Sequence, residues 1–137
     1  MQHSTLRILS TGCALTALGI ALGAFGAHGV ENKVDPYFFK VFQTASRFHM
    51  YQALGLIALG LIHHVKPLGA FRLIYNLQLA GILIFCGTLY ILGTSPLFTT
   101  VNMRWLGAIT PIGGVCMITG WSVAAFQLFK LTKTAEA

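Results

Sequence analysis

The stretch LIYNLQLAGILIFCGTLYILG, residues 73–93, contains no Asp, Glu, Lys or Arg at any position. A bilayer hydrocarbon core of roughly 30 Å is crossed by about 20 helical residues, so this run reads as a transmembrane helix. Asn76 and Gln78 lie near its start, and Thr88 and Tyr90 further on. In lipid, groups of this kind serve as hydrogen-bonding contacts between helices. Outward from this run lie three more long apolar stretches: Leu6 to Ala27, Phe48 to Val65 and Trp105 to Phe129.

Of the 137 residues, 55% are hydrophobic and only 9% are charged, and the mean hydropathy is +0.74. A soluble domain of this length needs more polar cover. The expected fold is an all-α integral membrane protein with four transmembrane helices in a compact bundle. A single membrane domain over residues 1–137 is expected, with spans at about 6–28, 47–65, 72–94 and 105–130.

The formal charge of +6 raises the question of nucleic acid. The Lys and Arg residues are scattered singly between apolar stretches, whereas nucleic-acid binding gathers them in a patch or stripe. No nucleic-acid partner is therefore expected, and the basic residues read as flanks of membrane helices. Because cytoplasmic segments hold the excess of Lys and Arg, these flanks also orient the chain. Arg7, Lys66, Arg72, Lys130 and Lys133 fall on one side, and Lys33, Lys40, Arg47 and Arg104 on the other. The bias favours both termini in the cytoplasm. Arg7, the apolar run after it and Ala24-Phe25-Gly26-Ala27 resemble a cleavable signal, but the run is long for one and rich in helix-packing residues. It is read as a helix of the mature protein. Cys13, Cys86 and Cys116 are odd in number and lack CxxC spacing, so they read as small packing residues.

The first apolar stretch carries Gly19, Gly23 and Ala27 along one face, and the last carries Cys116, Gly120 and Ala124. Close backbone approach at small residues drives helix association in lipid, so these two ladders are expected to pack, with each other as a candidate pairing. Between the first two stretches, Asp35-Pro36 is a strong helix start. From Pro36 on, Lys40, Gln43, Thr44 and Arg47 alternate at helical spacing with Phe38, Val41, Phe42 and Ala45. This predicts an amphipathic interfacial helix at about 36–46, with a bend near Ala45 to His49 before the second span. In the last stretch, Thr110, Pro111, Gly113 and Gly114 combine a kink-former with flexible residues, which predicts a helix break.

Gly23-Ala24-Phe25-Gly26-Ala27-His28-Gly29, Phe85-Cys86-Gly87-Thr88-Leu89-Tyr90 and Thr110-Pro111-Ile112-Gly113-Gly114-Val115 with Gly120-Trp121 together carry a family resemblance. The chain resembles the YgdD-like small membrane proteins, a family of unknown function (domain of unknown function 423) that includes human transmembrane protein 256. The resemblance covers nearly the whole chain. It implies a multi-pass four-helix protein of the bacterial inner membrane, with a mitochondrial membrane as the alternative, and no established activity. Where such proteins read Tyr-Gln-x-aromatic-His, this chain has Phe48-His49-Met50-Tyr51-Gln52. His and Gln stand exchanged at positions three apart on one helix face, which argues for hydrogen bonding over chemistry.

His28, His49, Tyr51 and Gln52 form a candidate polar cluster where the first span meets the second, with Glu31 and Asp35 in the connection. Imidazole and carboxylate could hold a divalent metal, but these ligands lack tight spacing, and neither metal nor cofactor is expected. Only three acids exist, Glu31, Asp35 and Glu136, and no nucleophile-base-acid set can be assembled from them. The leading expectation is a non-enzymatic structural or accessory protein in contact with the lipid bilayer, as a homo-oligomer or within a larger membrane complex. The alternative is a small-solute or ion channel or transporter lined by the Thr110 to Gly114 break and the His28/His49 region. A third reading is a lipid- or quinone-related membrane enzyme, or a metal-dependent one using His28 and His49.

Overall fold

A computed structural model describes residues 3–135; Glu136 lies outside them. Four α-helices follow one another: α1 (His3–Phe25), α2 (Pro36–Val65), α3 (Phe71–Thr94) and α4 (Leu106–Ala135). A π-helical turn, Gly26–Val30, extends α1, and a 3-10 turn, Ser95–Leu97, extends α3. No strand occurs among the described residues.

Local sequence sets the helix ends. Asp35 accepts a hydrogen bond from the Tyr37 amide at 2.9 Å, with Pro36 at the first helical position, where its missing N–H costs nothing. At the other end of α2, His63 Nδ1 accepts from the Leu68 amide at 3.0 Å. Its ring also stacks on Phe71 at 3.6 Å between centroids. That histidine thus fixes the turn into α3 as well as ending α2.

Successive helices pack antiparallel. On the α1/α2 seam Gly12 meets Ala53 and Ile57, Gly19 meets His49 and Met50, and Gly26 meets Phe42. On the α2/α3 seam Phe42 meets Gly93, His49 meets Tyr90 and His63 meets Phe71. On the α3/α4 seam Thr88 meets Thr110, Gly81 meets Gly113, and Gln78 meets Gly120. Each seam contains a glycine at which a Cβ would strike the neighbouring helix, so backbone-to-backbone approach holds the helices together, as lipid requires. Between the helices lies a core of Ile8, Leu56, Leu59, Leu68, Phe71, Ile74, Ile82, Cys86 and Ala124. Ile20, Leu83, Ile118 and Phe126, among others, are exposed on the outer faces, as expected of side chains that meet acyl chains.

Among the described residues three segments are long and apolar enough to cross a membrane: His3–Val30, Phe71–Leu97 and Leu106–Leu131. α2 is equally long but interleaves its apolar residues with Lys40, Arg47, His49, Gln52, His63 and His64. The separate interfacial helix expected at 36–46 is not a separate element: residues 36–65 form one uninterrupted helical run. No proline follows Pro36 before Pro67 and no glycine occurs before Gly55, so nothing in the sequence ends the helix at 46. Phe42 and Ala45 are buried within it. The expected break at Thr110 to Gly114 is likewise absent, because α4 continues through Pro111. Pro111 falls in the second turn of the helix, where it removes a single backbone hydrogen bond.

Candidate functional site

The polar groups of α2 are its distinguishing feature. Three of them face inward, His49 at 3% exposed, Gln52 at 9% and His63 at 8%, whereas Lys40, Gln43, Arg47 and His64 are exposed. His49 and Gln52 nevertheless engage different helices. His49 Nδ1 lies 3.2 Å from the Tyr90 hydroxyl of α3, whereas Gln52 Oε1 accepts a hydrogen bond from Trp121 Nε1 of α4 at 3.0 Å. Tyr51, next in sequence, points outward and is 65% exposed. His28 is exposed within the π-helical turn. The structure therefore does not assemble the four residues of the expected cluster. It pairs two of them with aromatic partners far away in sequence.

The Tyr90 ring packs edge-on against Phe42 at 5.0 Å between centroids, which fixes the hydroxyl that faces His49. Nε2 of His49 is buried and makes no hydrogen bond. The His49 residue borders an apolar cleft of about 120 Å³ between α1 and α3. Leu15, Leu18 and Leu22 form one wall, Ile82, Leu83, Cys86 and Gly87 the other, and His49 and Tyr90 lie between them. Leu18 and Leu83 are themselves exposed, so the cleft opens sideways toward lipid. A methyl group on Gly87 would meet nothing within 4 Å.

A second and larger cavity, about 390 Å³, lies nearer the first ends of α1 and α3, lined by His3, Ser4, Arg7, Phe71, Arg72, Tyr75 and Asn76. The Thr11 and Tyr75 hydroxyls, 3.0 Å apart, link α1 and α3 beside it. Among the described residues no group of three or more His, Cys, Asp or Glu is placed to hold a metal ion.

Thr110, Pro111, Gly113 and Gly114 belong to the α3/α4 seam. The Thr110 hydroxyl stands 3.0 Å from that of Thr88, and Gly113 presses on the backbone of Gly81 and Phe85. Pro111 is exposed and Gly114 half-buried. The ladder residues also find partners other than each other. Gly19 packs on α2, Gly23 reaches only Ser46, and Ala27 is exposed. Gly120 abuts Gln78 of α3, Ala124 joins the core and Cys116 is half-buried. The candidate pairing of the two ladders does not form, because α1 packs on α2 and α4 on α3. Gln78 is fully buried, donates to the Met117 carbonyl at 3.1 Å, and leaves its Oε1 without a partner.

Tyr90, Trp121 and Met117 were missing from the expected site. Tyr90 and Trp121 were visible as hydrogen-bonding aromatics inside apolar runs, a pattern in which the polar end seeks a partner.

The family model described as "Protein of unknown function (DUF423)" matches residues 22–114. A UPF0382 membrane protein of Staphylococcus saprophyticus is 37% identical over 119 residues, which covers 86% of this chain and 93% of that protein. The UPF0382 membrane protein YwdK of Bacillus subtilis is 41% identical over 105 residues, covering 76% of this chain and 80% of that one. No solved structure matches the chain.

Proposed function

The chain belongs to the DUF423 family of small membrane proteins of unknown function, and we propose that it is a non-enzymatic accessory protein that crosses the bilayer four times and associates through α1 with a second copy of itself. Its place is a bacterial inner membrane, with both termini on the cytoplasmic side. Four crossings are supported by the way α2 runs antiparallel along both α1 and α3 from Phe42 to His63. His49, Gln52 and His63 are turned toward those neighbours, while the exposed Lys40 and Arg47 lie in the first half of α2 and the exposed His64 in its last turn.

The observation that carries the association is that α1 has two small-residue faces, and only one is used within the chain. Gly12, Gly19 and Gly26 close on α2. Cys13, Ala17, Ala21 and Ala24 are all exposed, spaced four, four and three apart, which places them in one stripe. Such a stripe lets a second helix approach closely, and α1 sits at the edge of the packing order with that face open. A channel finds less support. Gln52 bonds Trp121, Gln78 bonds Met117 and Thr88 meets Thr110, so these groups are engaged with one another across glycine-closed seams.

The test is oxidative crosslinking in native membranes of a variant carrying Cys86→Ser and Cys116→Ser, which leaves Cys13 as its thiol. A covalent dimer that disappears when Ala17→Trp is added supports the reading. A chain that stays monomeric under oxidant, or a dimer band indifferent to Ala17→Trp, removes it.

A further inference from the structure

The cavity between the first ends of α1 and α3 has two arginines on its wall, Arg7 from α1 and Arg72 from α3. Both are exposed, and among the described residues neither guanidinium has a hydrogen bond, an ion pair or a ring contact. Other cations of the chain do have such company: Arg104 lies 5.5 Å from the centre of the Tyr37 ring and Lys130 4.7 Å from that of Phe126. The two described acids, Glu31 and Asp35, stand beyond the far end of α1, roughly 35 Å along the helix from Arg7. Neither α1 nor α3 has an acid in its first turn, and no side chain caps α3. Two guanidinium groups and two helix amino ends thus gather positive charge at one cavity. Like charges in one cavity repel, and an anion held between them removes that cost.

Arg7 stands one turn into the span His3–Val30, and Arg72 at the start of Phe71–Leu97. At 1.5 Å per residue both lie within about 6 Å of their helix ends, the level of lipid headgroups and not of the acyl interior. One turn deeper, the Thr11 and Tyr75 hydroxyls, 3.0 Å apart, tie the two helices together.

We propose that this cavity binds the phosphate of an acidic phospholipid, with Arg7 and Arg72 closing on its oxygens from two helices. A guanidinium presents its N–H donors in a planar fork that fits two phosphate oxygens, and basic pockets between membrane helices hold acidic headgroups in this manner. The volume, about 390 Å³, falls in the range of roughly 300–1,000 Å³ typical of small-ligand sites. The rest of the wall favours a lipid over free phosphate. Phe71 and Tyr75 add ring surface to the wall, and Leu6 and Leu73, next to the arginines in sequence, are exposed where acyl chains run. An ammonium headgroup would meet two guanidinium groups and no described carboxylate, so acidic lipids are favoured over zwitterionic ones. Ser4 and Asn76 both donate and accept, which suits the hydroxyls of a glycerol headgroup. Arg7 lies outside the stripe from Cys13 to Ala24, so binding here is independent of association through that stripe.

The test is native mass spectrometry of the full chain in mild detergent, titrated with phosphatidylglycerol and, separately, with phosphatidylcholine of the same acyl chains. A single phosphatidylglycerol is expected to be retained, about tenfold more tightly than phosphatidylcholine, and to stay bound in excess inorganic phosphate. Arg7→Gln and Arg72→Gln are each expected to weaken binding about tenfold. Ser4→Trp, which fills the cavity with both arginines in place, is expected to abolish it. All three positions are exposed, so these substitutions leave the helix seams intact. Lys66→Gln removes an exposed charge at the end of α2, on the same face of the bundle but outside the cavity, and is expected to change nothing. Equal retention of the two lipids, equal losses for Lys66→Gln and Arg7→Gln, or displacement of the lipid by inorganic phosphate overturns the proposal.

Discussion

Replacing Gly113 by alanine tests the α3/α4 seam with a single methyl group. That methyl would collide with the Phe85 backbone nitrogen, and it would stand 2.9 Å from the Gly81 carbonyl oxygen and 2.9 Å from Phe85 Cα. Carbon contacts are comfortable at about 3.5–4.0 Å, so α3 and α4 must part by roughly 1 Å. All three obstacles are backbone atoms, and no change of rotamer relieves them. Overpacking of this kind costs about 1–3 kcal/mol, from which the better helix propensity of alanine recovers about 1 kcal/mol. The net loss is up to about 2 kcal/mol, up to roughly a thirtyfold fall in the folded-to-unfolded ratio. Titration of purified protein from mild detergent into SDS, followed by circular dichroism, measures it. Gly107→Ala is the control, since a methyl there meets nothing within 4 Å, and it is expected to match or exceed the parent. Equal stability of Gly113→Ala and Gly107→Ala would refute the seam.

The same titration separates the glycines of α1: Gly12→Val, which drives side-chain atoms toward the Ala53 carbonyl and Ile57, is expected to cost about 1–3 kcal/mol. Gly23→Ala, whose methyl would find only Ser46 Oγ at 3.9 Å, should match the parent or exceed it by up to about 1 kcal/mol. A double-mutant cycle of Gln52→Leu and Trp121→Phe is expected to give a coupling of about 0.6 kcal/mol, up to about 1.7, in the range found for hydrogen bonds between membrane helices; a coupling of zero would mean that the 3.0 Å bond between them does not form. His63→Phe retains a ring to stack on Phe71 but loses the bond from the Leu68 amide, and should cost about 1 kcal/mol. His63→Ala loses both and should cost more, and the reverse order would contradict the role given to the ring.

Much of the architecture was legible in the apolar runs. The expected spans at about 72–94 and 105–130 lie on α3 (Phe71–Thr94) and α4 (Leu106–Ala135), because a run uninterrupted by charge leaves little choice of element. The merger of residues 36–46 with the second apolar stretch was hidden. Amphipathic spacing identifies a helix and its wet face, but it does not say whether the helix ends, and here no breaker follows until Pro67. The small-residue ladders announced close packing without naming the receiving helix, since a glycine face is equally welcoming to any neighbour. Thr110 to Gly114 looked like a break because proline and paired glycines serve both kinks and close approach. Only the facing backbone of Gly81 and Phe85 distinguishes the two uses. For His49 and Gln52 the polarity was visible, but Tyr90 and Trp121 come from positions 41 and 69 residues away, a separation that periodicity does not reach.

The central claim is that α2 crosses the bilayer with His49, Gln52 and His63 turned inward. Single cysteines at Asn32, Gly69 and Asn102, in a chain with Cys13, Cys86 and Cys116 replaced by serine, test it with a membrane-impermeant maleimide applied to right-side-out and inverted vesicles. These positions lie in the α1–α2, α2–α3 and α3–α4 connections. Four crossings predict that Asn32→Cys and Asn102→Cys react from one side and Gly69→Cys from the other. Reaction of Asn32→Cys and Gly69→Cys from the same side would place α2 on the membrane surface and contradict the account.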